Sequence, residues 1–204
     1  MAPATVAIVT ERAFAAPFQL PRQPAEYLRT PHRTLRRALR FLNARWQLRS
    51  CQQLGRWVRL HGRIHVSNQG EIRVGDRVVL LSRPLPIVLH TLAGGRLDIG
   101  DRTVLNYGVD ISAVEHVTIG ADCLLGTQVS ILDNDFHELT ARDRMPESRP
   151  VVIGDGVWLG NRVMILPGVK IGAGAAVGAG SVVMTDIPER CLALGNPARV
   201  IKKF

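Results

Sequence analysis

Aliphatic residues recur at every sixth position over much of the chain, with an offset of two positions after Ile111 and a long break after Ile131. Glycine often follows directly, and a small or β-branched residue usually stands four places after each aliphatic one. A period of six matches neither the helical repeat of 3.6 residues nor the alternation of a two-layer sheet. The series is Ile99, Leu105, Ile111, Ile119, Leu125, Ile131, Ile153, Leu159, Ile165, Ile171, Val177 and Val183.

This period predicts an all-β fold in which three short strands form each turn of a triangular prism. Each aliphatic side chain would stack on the residue eighteen positions away, and glycines would allow the tight corners. A sandwich of short hairpins is the alternative, but twelve aliphatic residues in phase argue against it. We expect coils over 64–190 and a C-terminal tail over 191–204, with 83–95 as an excursion that contains two prolines.

The N-terminal segment, residues 1–63, carries twelve arginines against two glutamates, whereas the rest of the chain is close to neutral. Apolar residues at a spacing near three to four among these arginines predict that this basic segment is partly α-helical. The helix could pack on the coils or on a neighbouring subunit, or it could lie on an anionic membrane surface. Nucleic-acid binding is the remaining alternative, and we expect no nucleic-acid partner, because the coils themselves are not basic.

Cysteine usage and hydropathy bear on the compartment. The three cysteines, Cys51, Cys123 and Cys191, are widely separated and odd in number, which favours free thiols in a reducing compartment. The chain contains no run of about 18 apolar residues, so the sequence predicts no transmembrane helix. A signal peptide is not expected, because the first twenty residues lack a basic start and contain Glu11-Arg12. We therefore expect a cytoplasmic protein, with peripheral contact at the inner face of the membrane if the basic helix binds lipid.

The C-terminal third contains IGDGVWLG, ILPGV, GAGSVV and GNPARVI in that order. Over about residues 72–204 the chain resembles the hexapeptide-repeat acyltransferases, in the branch of maltose, galactoside and polysaccharide O-acetyltransferases. The resemblance implies a left-handed parallel β-helix, a homotrimer, acetyl-CoA or another acyl-CoA as donor, and ligand clefts between subunits. The handedness comes from the resemblance alone, because the repeat itself does not determine it.

The segment 133–150 interrupts the repeat, and a long insertion in a regular solenoid is where functional groups are expected. By the resemblance, His137 matches the catalytic base of the family if one inserted residue is allowed. Asn106 matches an asparagine that faces the acceptor and the reaction centre. We expect Asp135 to hold the second imidazole nitrogen, with Asp133 as the alternative for that role and a candidate for acceptor binding.

The resemblance also implies CoA contacts along the outside of the coils, at Gly160, Asn161, Ala179, Met184 and Thr185. The pair Met184-Thr185 departs from the Thr-Lys pair that is common in the family at a phosphate contact. Arg199 and Lys202 would supply positive charge to the nucleotide phosphates, or would belong to a solvated tail. Trp158 would cover ligand at the subunit cleft or pack in the trimer. We expect no metal site, because no second histidine stands near His137.

These residues favour direct acetyl transfer from acetyl-CoA to a hydroxyl of a sugar, polysaccharide or glycolipid, with His137 as general base. An acyl-enzyme is not expected, because no serine or cysteine stands in a recognisable nucleophile setting. The alternatives are N-acetylation of an amino sugar or antibiotic, and a β-helix scaffold without activity. The basic N-terminal segment favours a large or membrane-associated glycan, as in polysaccharide biosynthesis, over a small metabolite.

Overall fold

The computed structural model describes residues 31–138 and 140–204, with side chains from residue 39 onward. All of the strands belong to one compact unit, Leu39–Phe204. The described elements begin with helix α1 (Pro31–Gln47). The strands are β1 (Gln53–Leu54), β2 (Arg59–Asn68), β3 (Glu71–Val74), β4 (Val79–Thr91), β5 (Arg96–Ile99), β6 (Val104–Leu105), β7 (Asp110–Ala113), β8 (His116–Ile119), β9 (Leu124–Leu125), β10 (Ser130–Leu132), β11 (Val151–Ile153), β12 (Trp158–Leu159), β13 (Met164–Ile165), β14 (Lys170–Ile171), β15 (Ala176–Val177), β16 (Val182–Val183), β17 (Cys191–Gly195) and β18 (Ala198–Lys203).

The strands form the three faces of a prism, and the chain passes from one face to the next in turn. Face 1 contains β1, β3, β5, β8, β11 and β14. Face 2 contains residues 59–62 of β2 and 79–82 of β4, followed by β6, β9, β12, β15 and β17. Face 3 contains residues 64–68 of β2 and 87–91 of β4, followed by β7, β10, β13 and β16. Strand β18 pairs antiparallel with β17 and closes the C-terminal end of face 2.

The predicted six-residue period is confirmed by the strand register. Three pairs of aliphatic residues stack eighteen positions apart: Ile153 on Ile171, Leu159 on Val177 and Ile165 on Val183. All twelve members of the series are buried, with exposures of at most 3%. Because each side chain is covered by its counterpart in the next coil, a single coil could not bury its own apolar row.

The coils begin earlier than the expected residue 64. Strand β1 already pairs with β3 on face 1, and the first half of β2 pairs with β4 on face 2. Leu54 and Leu60 are six positions apart and Gly55 follows Leu54, so the repeat is present there. The arginines of this coil occupy outward positions, which the exterior of a solenoid accepts. The basic character of 1–63 therefore concealed the first coil.

Two other boundaries also differ from expectation. The segment 83–95 leaves the coil only around Arg83–Pro86, because residues 87–91 form a strand of face 3 with Ile87 and Leu89 fully buried. Residues 191–204 form a hairpin that extends face 2 rather than a tail. Ala193 is fully buried in this hairpin, which explains why the segment is part of the core.

Helix α1 packs on the first coils through Ala44 and Leu48, which are each 1% exposed. Leu39, Leu42 and Trp46, which the sequence pattern placed on the same apolar side of the helix as Leu48, lie on its outer side and are 54%, 62% and 69% exposed. The remaining apolar positions of that pattern precede residue 39 and lie outside the described side chains. No helix in the described part of the chain is long and apolar enough to cross a membrane.

Candidate functional site

The residues expected at the site lie on two edges and one face of the prism. Asn106, Gly160, Asn161 and Ala179 follow strands of face 2 and occupy its edge with face 3. The loop 133–150 and the pair Met184-Thr185 follow strands of face 3 and occupy its edge with face 1. Trp158 points outward from face 2. Among the described residues, no contact joins Asn106 to His137, so the structure does not bring these two together within one chain.

Asp133 begins the loop and is completely buried. Its carboxylate accepts hydrogen bonds of 2.8 Å from the backbone N–H groups of Val114, Glu115 and His116 in the preceding coil. Both carboxylate oxygens therefore have hydrogen-bond partners within the fold, and the side chain has no surface left for a ligand. The expectation that Asp133 contacts the acceptor or the imidazole is therefore wrong. This residue instead fixes the start of the loop to the coil.

The loop is also closed at its base and stiffened inside. The N–H of Arg149 donates to the carbonyl oxygen of Asp133 at 2.8 Å, which joins the two ends. The side-chain amide of buried Asn134 donates to the carbonyl oxygen of Pro146 and to Oγ of Ser148 at 2.8 and 2.9 Å. Its oxygen accepts from the N–H of Phe136 at 2.6 Å, in a local turn. The exposed His137 therefore belongs to a loop that hydrogen bonds hold in place, both at its base and inside it.

His137 is exposed, and its Nδ1 lies 2.7 Å from the carbonyl oxygen of Arg142. A carbonyl oxygen can only accept, so Nδ1 must carry the proton in this contact. In the neutral imidazole, Nε2 then keeps its lone pair and can accept a proton from another group. Whenever the imidazole is neutral, the loop thus presents Nε2 as the basic nitrogen.

Asp135 does not hold the imidazole, contrary to expectation. Its carboxylate is exposed and lies 3.9 Å from the guanidinium of Arg149, within the range of a loose ion pair. The orienting atom is instead the backbone oxygen of Arg142, which has no sequence signature. Asn134 was also missed, although the Asp-Asn-Asp run at the start of the loop is typical of local side-chain to backbone turns.

The edge between faces 2 and 3 is built by close stacking of backbone. A Cβ atom at Gly126 would lie 2.7 Å from the backbone N of Asn161, and one at Gly160 would lie 2.6 Å from the backbone N of Ala179. The amide oxygen of Asn161 accepts from the N–H of Thr127 at 2.9 Å. The amide nitrogen of Asn106 donates to the carbonyl oxygen of Leu125 at 2.8 Å. In this structure both asparagine side chains therefore brace neighbouring coils.

The other expected CoA contacts are exposed. Met184 is 55% exposed at the edge between faces 3 and 1, and Thr185 beside it is also exposed. Arg199 and Lys202 lie on β18, which continues face 2 beyond β17. These residues are available to a ligand, but they are distributed over more than one side of the C-terminal coils.

Two of the three described cysteines, Cys51 and Cys123, offer little nucleophilic character. Burial raises the pKa of the Cys51 thiol to about 11. Burial also raises the pKa of the Cys123 thiol, against smaller lowering effects from hydrogen bonds that include one with Thr103. Both residues therefore stay protonated near neutral pH, and a thiol is a poor nucleophile in that form. No group of three metal-ligating side chains occurs among the described residues.

Comparison with known proteins bears directly on this geometry. Residues 150–184 match the family model of the bacterial transferase hexapeptide (six repeats). The chain is 36% identical over 151 residues to WbbJ of Escherichia coli K12, provisionally named a lipopolysaccharide biosynthesis O-acetyl transferase, with 69% of this chain and 76% of WbbJ covered. The chain belongs to this family. It is a hexapeptide-repeat acetyltransferase.

Two solved structures extend the comparison. The hexapeptide-repeat acetyltransferase VCA0836 of Vibrio cholerae, in complex with acetyl coenzyme A, has a TM-score of 0.57 and 29% identity, and the match covers 77% of this chain and 73% of that one. A histidine-to-alanine variant of GDP-perosamine N-acetyl transferase from Caulobacter crescentus, in complex with CoA and GDP-perosamine, has a TM-score of 0.54 and 26% identity, with 72% and 58% covered. The hexapeptide-repeat acetyltransferase is thus a left-handed parallel β-helix with acetyl-CoA as donor, as expected.

Proposed function

We propose that this acetyltransferase transfers the acetyl group of acetyl-CoA to a hydroxyl of a glycan, with His137 as general base. The observation that carries the proposal is the hydrogen bond from Nδ1 of His137 to the carbonyl oxygen of Arg142. Because this bond assigns the proton to Nδ1, the lone pair lies on Nε2. An exposed imidazole in this state, on a loop anchored by buried Asp133, is suited to deprotonate an incoming hydroxyl.

The proposed reaction is a direct transfer. Nε2 takes the proton of the acceptor hydroxyl while that oxygen attacks the thioester carbonyl carbon, and the carbon–sulfur bond then breaks. The imidazolium returns the proton to the departing CoA thiolate, so the products are the acetyl ester and CoA thiol. The carbonyl oxygen of Arg142 would stabilise the transient positive charge on the ring, since it accepts from Nδ1 in both protonation states.

The acceptor class is supported by the relatives. WbbJ is provisionally named for O-acetylation in lipopolysaccharide biosynthesis, which favours a hydroxyl of a large glycan. The likeness to a GDP-perosamine N-acetyl transferase favours a second candidate, transfer to the amino group of a sugar. The same base and donor serve both reactions, because an amine must also lose a proton as it becomes an amide.

We also propose that the enzyme is a homotrimer whose subunits meet through face 2. Apart from Arg59 at its N-terminal end, the outward row of this face is apolar: Val79, Val104, Leu124, Trp158, Ala176 and Leu192. Trp158 is 37% exposed in the single chain, and an apolar row of this length on the outside of the coils is typical of a contact surface. An assembly would allow the loop of one subunit to approach the coil edge of another, where Asn106 and Asn161 lie.

The N-terminal helix supports a further part of the proposal, which is peripheral contact with an anionic membrane. Arg45 accompanies the exposed Leu42 and Trp46 on the outer side of α1, and the guanidinium of Arg49, just after the helix, lies 4.7 Å from the centre of the Trp46 ring. Such a mixture of basic and large apolar side chains is typical of interfacial helices. Co-sedimentation with anionic vesicles should decrease in the double variant Leu42→Ser, Trp46→Ser; equal binding of variant and wild type would exclude this contact.

Release of CoA thiol with a panel of glycans and amino sugars tests the catalytic proposal. We expect His137→Ala to lower kcat by about 10²- to 10⁴-fold. His65→Ala is the matched control, because His65 is an exposed histidine on β2, away from the loop. Release with glycans whose amines are blocked supports O-acetylation, and release with amino sugars alone supports the second candidate. Full activity of His137→Ala would refute the assigned base.

A further inference from the structure

A recess lies at the N-terminal end of the coils, at the corner between faces 2 and 3 of β2 and β4. It has a volume of about 500 Å³ and is bounded by α1, by the corner of β2 and by Arg83. Its polar lining consists of Arg40, Arg63, Arg83, His61, Asn43 and Gln47. This volume is within the range of about 300–1,000 Å³ that is typical of small-ligand pockets. The acetyl-transfer proposal uses none of these residues.

The charge of this recess is not compensated by the described part of the protein. No carboxylate lines it, and no ion pair involves Arg40, Arg63 or Arg83 among the described residues. Several arginines elsewhere on the coils do form ion pairs, as Arg96 does with Asp98 at 2.6 Å. Three guanidinium groups around one concavity repel each other and attract anions, more strongly than isolated surface arginines do.

The backbone beneath these arginines is held in place by side chains of α1. The Asn43 amide donates to the carbonyl oxygen of Gly62 at 2.9 Å, and the Gln47 amide donates to the same oxygen at 3.1 Å. The oxygen of Gln47 accepts from the N–H of Ile64 at 2.9 Å. Gly62 has a φ of 112°, and a Cβ there would lie 2.8 Å from Cγ of Arg83. The backbone corner that carries Arg63 and contacts Arg83 is therefore already fixed in position before a ligand binds.

His61 adds a group of different character to the recess. Its pKa is lowered, first by burial and then by the positive charges of Arg40 and Arg59. The neutral imidazole near pH 7 can donate or accept one hydrogen bond without adding a fourth charge. The lining thus combines planar, bidentate donors with neutral polar groups, a set that matches the oxygens of phosphate.

The rim of the recess is apolar on one side. Leu39 lines it and is 54% exposed, and Leu42 follows on the outer surface of the same helix. A ligand with a phosphate in the recess could therefore place an apolar portion along α1. We propose that this recess binds the phosphate or diphosphate group of an ester, through residues that the acetyl-transfer proposal does not use.

Binding of inorganic pyrophosphate, measured by calorimetry on the full chain, tests this site. The triple variant Arg40→Gln, Arg63→Gln, Arg83→Gln should raise Kd by at least about tenfold, because charge-assisted hydrogen bonds are lost. The control triple variant Arg73→Gln, Arg77→Gln, Arg190→Gln has the same change in net charge outside the recess, and it should bind like wild type. Equal weakening in both triples, or no binding to wild type, would overturn the proposal.

A single variant shows whether weaker binding by the triple variant is caused by misfolding. Arg83→Lys keeps the charge but removes the planar fork, and it should weaken pyrophosphate binding severalfold while the thermal transition stays unchanged. A second readout is the pKa of His61, which should rise when pyrophosphate binds, since a nearby anion favours the imidazolium. If pyrophosphate binds to Arg83→Lys as tightly as to wild type, and if its binding leaves the pKa of His61 unchanged, the anion binds elsewhere.

The source of the phosphate is separated by a vesicle experiment. Neutral phosphatidylcholine vesicles with and without phosphatidic acid should differ in binding if the ester belongs to a lipid, and the Arg40, Arg63, Arg83 triple should lose that difference. If only soluble pyrophosphate depends on the three arginines, the ligand is a soluble phosphate ester. Either result supports the site, whereas dependence on the control triple in both experiments contradicts it.

Discussion

Faces 1 and 2 of the prism have the same interior and opposite exteriors. Behind both faces, buried aliphatic residues stack in register from coil to coil. The outward row of face 1 is Gln53, Arg73, Asp98, Thr118, Val152 and Lys170, whereas that of face 2 begins with Arg59 and continues with Val79, Val104, Leu124, Trp158, Ala176 and Leu192. The interior explains why the chain forms coils, and the exterior indicates which side of the coils meets another molecule.

The polar groups of face 1 bind each other rather than a partner. Arg96 makes two hydrogen bonds to Asp98, of 2.6 and 3.1 Å, and Nε2 of His116 lies 2.8 Å from the same carboxylate. Thr118 is within 3.1 Å of that imidazole nitrogen. A face with this network loses little by facing water, whereas the apolar row of face 2 gains free energy when it is covered.

The largest effect that separates the two faces is expected from Leu124→Arg. An arginine in the middle of the face 2 row would have to be buried without a counter-ion in the proposed trimer, so the assembly should dissociate. Light scattering at micromolar concentration should then give the mass of a monomer, and activity should fall by at least about a hundredfold if the site is shared between subunits.

Thr118→Arg is the matched control for that substitution, because Thr118 occupies the corresponding outward row on face 1. It should remain a trimer with normal activity. Dissociation of both variants, or of neither, would show that the contact surface is not face 2.

A smaller effect is expected from Trp158→Ala. Large aromatic side chains at the centre of an interface often contribute about 2 kcal/mol or more to association. The truncation should therefore weaken subunit association by at least about tenfold without unfolding the coil, whose interior it does not enter. Sedimentation over a range of protein concentrations measures the change. A trimer as stable as wild type would place Trp158 outside the interface.

The smallest effect is expected on face 1, from Asp98→Asn. Burial acts to raise the pKa of Asp98, but hydrogen bonds from Arg96 and His116 outweigh it, and the pKa lies below its ordinary value. The charged carboxylate therefore stabilises the fold at pH values above the ordinary Asp pKa of about 4. We expect the substitution to lower the free energy of unfolding by about 1 kcal/mol at pH 7.

That loss should shrink as the pH falls below 4, because wild-type Asp98 then becomes protonated and its own contribution disappears. Denaturant unfolding at several pH values measures both curves. A difference that stays constant down to the lowest pH would mean that the carboxylate charge contributes nothing.

The sequence pattern predicted the coils well where one side of every strand is buried away from water. A buried aliphatic residue every six positions has no other common explanation, so the register from Ile99 to Val183 could be anticipated. The first coil carries the same signal at Leu54 and Leu60, but the apolar spacing of three to four residues just before it suggested that the whole basic segment is helical. In a solenoid, outward positions tolerate almost any polar residue, so charge there says little about the fold.

The candidate site was less predictable, because much of it is made of backbone. The position of the loop followed from the interrupted repeat, and the resemblance singled out His137. The partners of Asp133 and of His137 are N–H and C=O groups, which every residue carries, so no pattern of side chains announces them. Asp135 was predicted to hold the imidazole because it is a carboxylate close to His137 in the sequence. In the structure its carboxylate lies near Arg149 instead.

The carbonyl oxygen that holds His137 belongs to the peptide unit of position 142, whatever side chain stands there. Evolution could therefore exchange that side chain freely to suit different acceptors and leave the proton on the ring undisturbed. What must be preserved is the position of the residue 142 carbonyl beside the imidazole five positions earlier in the chain. In such a loop, deletions and insertions are more damaging than substitutions, and variation in sequence is compatible with constancy in chemistry.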